Sequence, residues 1–570
     1  MDRRFLLAIV LTIGVIVVSN YLFPPAKVAL RTTADSTTIA EESTRSRAAI
    51  AAPTGSPTAV ASVPAARAPN VGMATSASTA APIALTAPAE STVVRTARAT
   101  IYFTSLGAAP LAVTLDDYKA LGTTSAAHAS LGAPGSPLLR YAIVSASDTT
   151  RFDQTVFALT RGAVAGRTLL DYRGTQRGIA LAVHYELDTA NAGAYLVRSR
   201  VSVEGAPANA FLRVELPRTL ASQETKPDED AAQLAYAFKP QRKSASSIAF
   251  TKLDPGEHRL EPGPMTWIAA KNKYFVVALL ADSVRTAFEE LHVTGQIRTG
   301  KLAMSGEAQA IASLAKGPVE FELYAGPQAW ERLRALGRDF DNVNPYGGWM
   351  QGAVQPFATI VMRVLLWMKR SSGLSYGWIL IVFAIAVRVL LWPMNNIAMR
   401  SSIKMQRVQP ELAAVQEKYK GEPAKLQEEM MKVYKAHDMS PFSAFSGCLP
   451  MLIPMPILFA LFFVFQNTIE FRGVNFLWLP DISLADPLYV FPILMAASMY
   501  LLSWLGMRNS PPNPQAKMMS WLLPGMMLVM FLNFASGLTL YYFVQNVAAI
   551  PQQFMIANER SKAKALTAPA

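Results

Sequence analysis

The chain has 570 residues, 51% of them hydrophobic, and a formal net charge of +13. Apolar runs of membrane length gather at the far N-terminus and in the last third, which excludes an ordinary soluble protein and leaves a large polar insert between them. In such a chain the positive surplus reads as loop bias and lipid contact rather than specific nucleic-acid binding, and a single cysteine, Cys448, excludes an intramolecular disulfide.

Residues 1–25 open MDRRFLLAIVLTIGVIVVSNYLF, basic residues followed by one apolar run. Tyr21, Leu22, Phe23, Pro24 and Pro25 stand where a small-residue cleavage site belongs. A retained transmembrane signal anchor is therefore expected, with Arg3 and Arg4 holding the N-terminus inside. Residues 26–92 are rich in Ala, Thr, Ser and Pro and carry too little apolar surface to offset their ordering entropy, so a disordered tether is expected.

Residues 93–345 change pattern to short runs such as GIALAVHYELD, YLVRSRVSVEG, FLRVELP and NKYFVVALL. Their period-two spacing and Gly, Pro and Asp-Asn punctuation predict an antiparallel β-sandwich outside the membrane. A stretch from Gly295 to Lys301 imitates a phosphate loop but ends in Leu302, where a metal-binding hydroxyl belongs, and it is set aside. Residues 327–340, PQAWERLRALGRDF, are expected to form a helix with Pro327 in its first turn. Residues 349–370 are amphipathic, with Arg363, Lys369 and Arg370 among Trp and Met, and are expected to lie in the membrane interface despite Pro356.

Residues 374–558 form the membrane core. The run 376–394, YGWILIVFAIAVRVLLWPM, carries Arg388 well inside it. A guanidinium at that depth costs roughly 2.5–3.5 kcal/mol unless water or a partner relieves it. It either snorkels to the near interface or lines a water-filled cavity. Further crossings are expected at 441–468, 487–504, 518–534 and 538–556, six in all with the N-terminal anchor. An inside N-terminus then puts the sandwich outside, a helical hairpin (399–440) inside, 470–486 outside, and a short basic tail (559–570) inside. Arg400, Lys404, Arg407, Lys418, Lys432 and Lys435 fall on the inside hairpin, whereas 470–486 has Arg472 against Glu470, Asp481 and Asp486. That is the charge bias expected of such a topology. The hairpin reads equally as a solvated pair of helices or as a docking surface.

The crossings carry no histidine, and their cores carry no Asp or Glu. An intramembrane protease lacks its nucleophile–base pair, and a small-solute transporter or channel lacks coupling charges and an inverted repeat. Arg388 thus has no acidic mate at depth. Gln466, Asn533, Ser536, Thr539, Tyr541, Tyr542 and Gln545 can wet a cavity around it, although each alone is ordinary helix–helix glue. Proline breaks and abundant Met give the crossings a soft, adaptable apolar surface.

Arg388 with Pro393, the hairpin end Met430-Met431-Lys432-Val433-Tyr434-Lys435, Gly447-Cys448-Leu449-Pro450 with Met455-Pro456, Asp486-Pro487 with Tyr489, and Ser536-Gly537-Leu538-Thr539-Leu540-Tyr541-Tyr542 resemble the YidC-type membrane protein insertases, in the form with a large periplasmic domain. The resemblance spans nearly the whole chain. It implies a polytopic α-helical inner-membrane protein of six transmembrane helices, five of them forming the insertase core, and a periplasmic antiparallel β-sandwich. It implies a non-enzymatic, cofactor-free insertase and chaperone, working alone or beside the Sec translocon, with a hydrophilic groove centred on Arg388. The implied partners are nascent membrane proteins, Sec components, membrane lipids, and a ribosome or targeting receptor at the hairpin. An apolar path for the substrate helix would run over Met455, Pro456, Phe459, Phe463, Pro524, Met527 and Phe531. Pro454 departs from the family pattern where a glutamine is expected. The sandwich is of a sugar-binding type in the family, but no ligand site is read from its sequence, and docking to Sec components is the use implied.

Overall fold

The structure is a computed structural model that describes residues 89–437, 455–507 and 514–566, apart from 123–126, 133–135, 147, 190–194, 282–287, 297, 300–301, 304, 347–349, 394–395, 397–407, 409–410, 413 and 420. The expected N-terminal anchor, nearly all of the tether, Arg400, Lys404, Arg407, Cys448 and Pro454 lie outside the described residues.

Alternation governs the strands. In Ile179–Asp188, Leu181, Val183, Tyr185 and Leu187 are buried while His184 and Glu186 stand on the other face. Phe275–Ala281 is apolar at every position and buried at every position, as a strand covered on both faces must be. A four-stranded antiparallel sheet runs in the order Ser91–Arg95, Ala99–Thr104, Ala109–Lys119, His128–Leu131. The larger sheet runs from Thr149–Arg151 through Arg140–Val144, Phe211–Glu215, Gly306–Ser313, Phe288–Gly295 and His258–Lys271. It continues through Phe275–Ala281, Val319–Pro327, Leu196–Glu204, Ile179–Asp188 and Arg167–Gln176 to Ala158–Val164. Their inward faces share one apolar core. Of the phosphate-loop mimic, Gly295 ends a strand and Arg298–Thr299 pairs with Leu302–Ala303.

Two short helices interrupt or follow the sandwich, α1 (Pro227–Ala231) and α2 (Trp330–Ala335). The helix expected from Pro327 is shorter than its sequence suggested. Pro327 is still strand, paired with Phe275, and Gly337, Arg338 and Asp339 in the left-handed region end the turn.

After the sandwich come α3 (Gln351–Ser372), α4 (Tyr376–Leu390), α5 (Pro423–Ala436) in the hairpin region, α6 (Met455–Asn467), α7 (Val490–Met507), α8 (Pro514–Phe531) and α9 (Ser536–Leu566). Helix α3 continues through Pro356, and its face at Val354, Ala358, Val361, Met362, Leu365 and Leu366 is buried. Its opposite face exposes Phe357, Ile360 and Trp367. Helix α4 likewise buries Ile379, Leu380, Phe383 and Ala384 while exposing Trp378, Val382, Ile385 and Val389. Exposed apolar stripes opposite buried ones are what a lipid-facing bundle requires. Among the described residues one helix, α7, is long and apolar enough to cross a membrane; 376–390 and 517–531 are shorter apolar helices. Helix α3 packs on α6, α4 on α9, α9 on α7, and α7 on α8.

The loop between α6 and α7 mounts the sandwich on this bundle. Arg472 is buried; its Nε donates to Glu224 Oε1 at 2.7 Å and an NH2 donates to the Gln223 carbonyl at 3.2 Å. Its guanidinium carbon also lies 5.3 Å from the Phe275 ring centre, and Ile469 joins the sandwich core. Asp481 accepts from the backbone N–H groups of Gly473 and Ser483, and Asp486 from those of Leu488 and Phe491 at the start of α7 and from the Trp478 indole N–H at 3.1 Å. Glu470 Oε1 accepts the Trp330 N–H at 3.3 Å, while buried Oε2 has no partner among the described residues. Burial pushes its carboxyl up to about 7.

Candidate functional site

Arg388 lies two residues from the end of α4, facing α9. Its NH2 donates to Gln552 Oε1 at 2.6 Å, and its buried Nε has no partner among the described residues. Gln552 is itself 2% exposed and spends its amide N–H groups on Asn396 Oδ1 at 2.6 Å and the Trp392 carbonyl at 3.4 Å. One turn up α4, the Ala384 carbonyl accepts from Gln545 Nε2 at 2.7 Å, and the same amide donates to the Tyr541 hydroxyl at 3.0 Å. Tyr541, Gln545 and Gln552 share one stripe of α9, within about 40° of each other at ~100° per residue. A charge at the foot of an otherwise neutral polar ladder is the result.

The structure brings Arg388, Tyr541 and Gln545 onto this ladder. It does not bring the other expected groove residues to it. Ser536 and Thr539 are fully buried at the opposite end of α9, bonded to the Ile482 and Ala535 carbonyls. Thirteen residues separate Thr539 from Gln552, roughly 20 Å along a helix. Asn533 is exposed in the turn between α8 and α9, because the chain reverses there. Gln466 is half-buried one residue from the end of α6. Tyr542 turns from the ladder to stack edge-on against Phe531 of α8 at 5.3 Å.

Of the apolar path, the backbone of Met455 and Pro456 starts α6, and Phe459, Phe463 and Met527 are half-buried against the bundle core, with Pro524 and Phe531 buried. Phe531 reaches α6 through a chain of rings: Phe534 at 5.1 Å, Phe462 at 5.4 Å and Phe463 at 5.3 Å. The hairpin region has a small core of Val408, Leu412 and Tyr434. Lys432 is held by Glu428 and Glu429, Lys418 sits 5.4 Å from the Tyr419 ring centre, and Lys435 is exposed.

Sequence reasoning missed Gln552, although its spacing of seven from Gln545 on a helix was a usable signal. It also read Arg472 only as a loop charge. Nothing local marks Glu224, 248 residues away, as its partner.

Residues 91–360 match a family model described as the YidC periplasmic domain, and 367–564 match one described as the 60Kd inner membrane protein. The membrane protein insertase YidC of Pelodictyon phaeoclathratiforme is 34% identical over 361 residues, 59% of each chain. That of Chlorobaculum tepidum is 34% identical over 54% of each. These alignments therefore span little more than half the length of the curated relatives. A crystal structure of an active YidC insertase with its first transmembrane domain resolved is 17% identical, with a TM-score of 0.32 over 81% of this chain and 92% of that one.

Proposed function

The chain belongs to the YidC family of membrane protein insertases, and on that footing we propose that it inserts other membrane proteins into the inner membrane by way of the ladder centred on Arg388. One observation carries the reading. Arg388 is half-buried, its nearest partner is a neutral amide, and one of its buried N–H groups has no acceptor. A buried cation so supplied is under-satisfied, and a visiting carboxylate is its natural complement. The acidic flank of an incoming segment pairs with Arg388, while the stripe at Gln545 and Tyr541 replaces part of the water it loses. The substrate's apolar helix then leaves across the Phe459–Phe463 and Met527–Phe531 surfaces, which meet chiefly through the rings near Phe534. Burial of its own apolar area in lipid drives that step. The process uses no catalytic residue, nucleotide or cofactor.

In this reading six helices cross, the periplasmic sandwich faces outward, and both termini are cytoplasmic. Helix α3 lies in the interface, Lys418, Lys432 and Lys435 help recruit ribosome or targeting receptor, and the protein acts alone or with the Sec translocon.

The test is depletion of the native protein with complementation by wild type, Arg388→Lys and Arg388→Ala, reading insertion of a two-crossing protein with an acidic external tail. Lys should work and Ala fail, and removing the tail's acids should ease the failure. Wild-type insertion by Arg388→Ala would sink the proposal.

A further inference from the structure

Two cavities of the sandwich are lined by arginines, and they differ in bookkeeping of charge. One, of about 430 Å³, lies over Arg198, Arg200 and Arg338. Its cations are all matched: Arg198 to Glu186, Arg200 to Glu320 and Arg338 to Glu322, at 3.2, 2.6 and 2.7 Å. It is a solvated ion-pair lattice on a sheet face.

The other, of about 150 Å³, is lined by Arg140, Arg151, Arg213 and Arg218 with only Asp153 and Glu215. Arg140 and Arg218 share Glu215, at 3.4 and 2.6 Å, and Arg218 also meets Glu307. Arg151 and Arg213 have no hydrogen-bond or ion-pair partner among the described residues. The sheet explains the space between them. Arg213 pairs with Ala142 on the next strand, and Ala142 with Arg151 on the one beyond. Paired residues share a face, so two long cations flank a methyl group across two strand spacings, roughly 10 Å. The alanine is the floor of the cavity. Burial, then the nearby Arg151, lowers the pKa of half-buried Arg213, so its charge stands there at a cost.

We infer that the space over Ala142, between Arg151 and Arg213, binds a small oxyanion, of which phosphate is the type. Guanidinium forks from both sides suit an acceptor with several oxygens, and a central anion relieves the repulsion between the two cations. Counting Glu307, four cations face three carboxylates, so one negative charge completes the site. The anion comes either from solution or as the phosphate of a lipid headgroup, since the chemistry is shared.

The experiment is equilibrium dialysis of the full chain, in nanodiscs of zwitterionic lipid, against radiolabelled inorganic phosphate at constant ionic strength. Saturable binding at one site per chain is expected, weakened at least about tenfold by Arg213→Gln and by Arg151→Gln and only partly by Arg213→Lys, with Arg198→Gln as an unaffected control. Arg151 is exposed, so its variant keeps the test informative if Arg213→Gln folds poorly. Repetition in phosphatidylglycerol nanodiscs separates the sources. Loss of free phosphate binding there assigns the site to headgroups, and retention assigns it to a soluble anion. Absence of saturable binding, or equal binding by the Arg213 and Arg151 variants, overturns the site.

Discussion

Arg472 and Arg388 are the same side chain put to opposite uses. Arg472 is buried with a carboxylate at 2.7 Å, a carbonyl at 3.2 Å and an aromatic face, and none of its buried nitrogens is orphaned. Arg388 has one neutral amide and an orphaned N–H. The first holds the sandwich to the bundle. In the proposed mechanism the second awaits a partner that arrives with the substrate. Completeness of pairing, rather than burial, separates a structural charge from a working one.

The comparison breaks first at the mount. Arg472→Gln strands Glu224 and should cost roughly 3–5 kcal/mol, read as a lower melting temperature of the purified chain and earlier proteolysis between sandwich and bundle. Arg388→Ala should reverse the pattern: melting nearly unchanged, insertion of an acidic-tailed substrate down about ten- to a hundredfold, as loss of a charged hydrogen bond of roughly 1.5–3 kcal/mol implies. Equal melting losses for the two variants would erase the distinction.

Gln552→Glu sharpens it. A built-in carboxylate completes Arg388, so melting should rise while acidic-tailed insertion falls severalfold, whereas Gln552→Leu should lower both. The smallest effect is at Glu470. Its carboxyl holds a proton to about pH 7 when folded but only to the ordinary range near 4.5 when unfolded. The native state thus binds more protons across that window. Stability should fall as pH rises from about 4.5 to 7 and then level off. Glu470→Gln should flatten this slope and melt a few degrees higher than wild type at pH 8, measured by a pH series of melting curves.

Much of the fold was legible because strand alternation and lipid-facing helices both leave periodic marks, as in Ile179–Asp188 and α4. The 327–340 helix misled because its composition is helical while Pro327 is bound into the sheet by Phe275, a tertiary override of local preference. At the site, a charge in an apolar run marked Arg388. Its partner Gln552 was hidden among neighbouring polar residues near the end of the expected crossing 538–556, where a glutamine resembles an interfacial one. Ser536 and Thr539 share the composition of a wet groove, yet their hydroxyls are consumed by carbonyls at the far end of α9. Residue type told what could be polar; only helix length told at which depth.

Depth has a further consequence. From the start of α4 at Tyr376 to Arg388 is twelve residues, roughly 18 Å along the axis, against a hydrocarbon thickness of ~30 Å. Under the proposed topology, a carboxylate that reached the guanidinium from the cytoplasmic side would have travelled some two-fifths of the oil before leaving the company of an opposite charge. The transfer free energy of an ion across a slab climbs steeply at its edges and plateaus inside, so a counter-charge about two-fifths of the way in stays with the ion over the ascent and onto the plateau. In the proposed mechanism the bundle is a step cut into a dielectric cliff, and its height is fixed by where one helix begins.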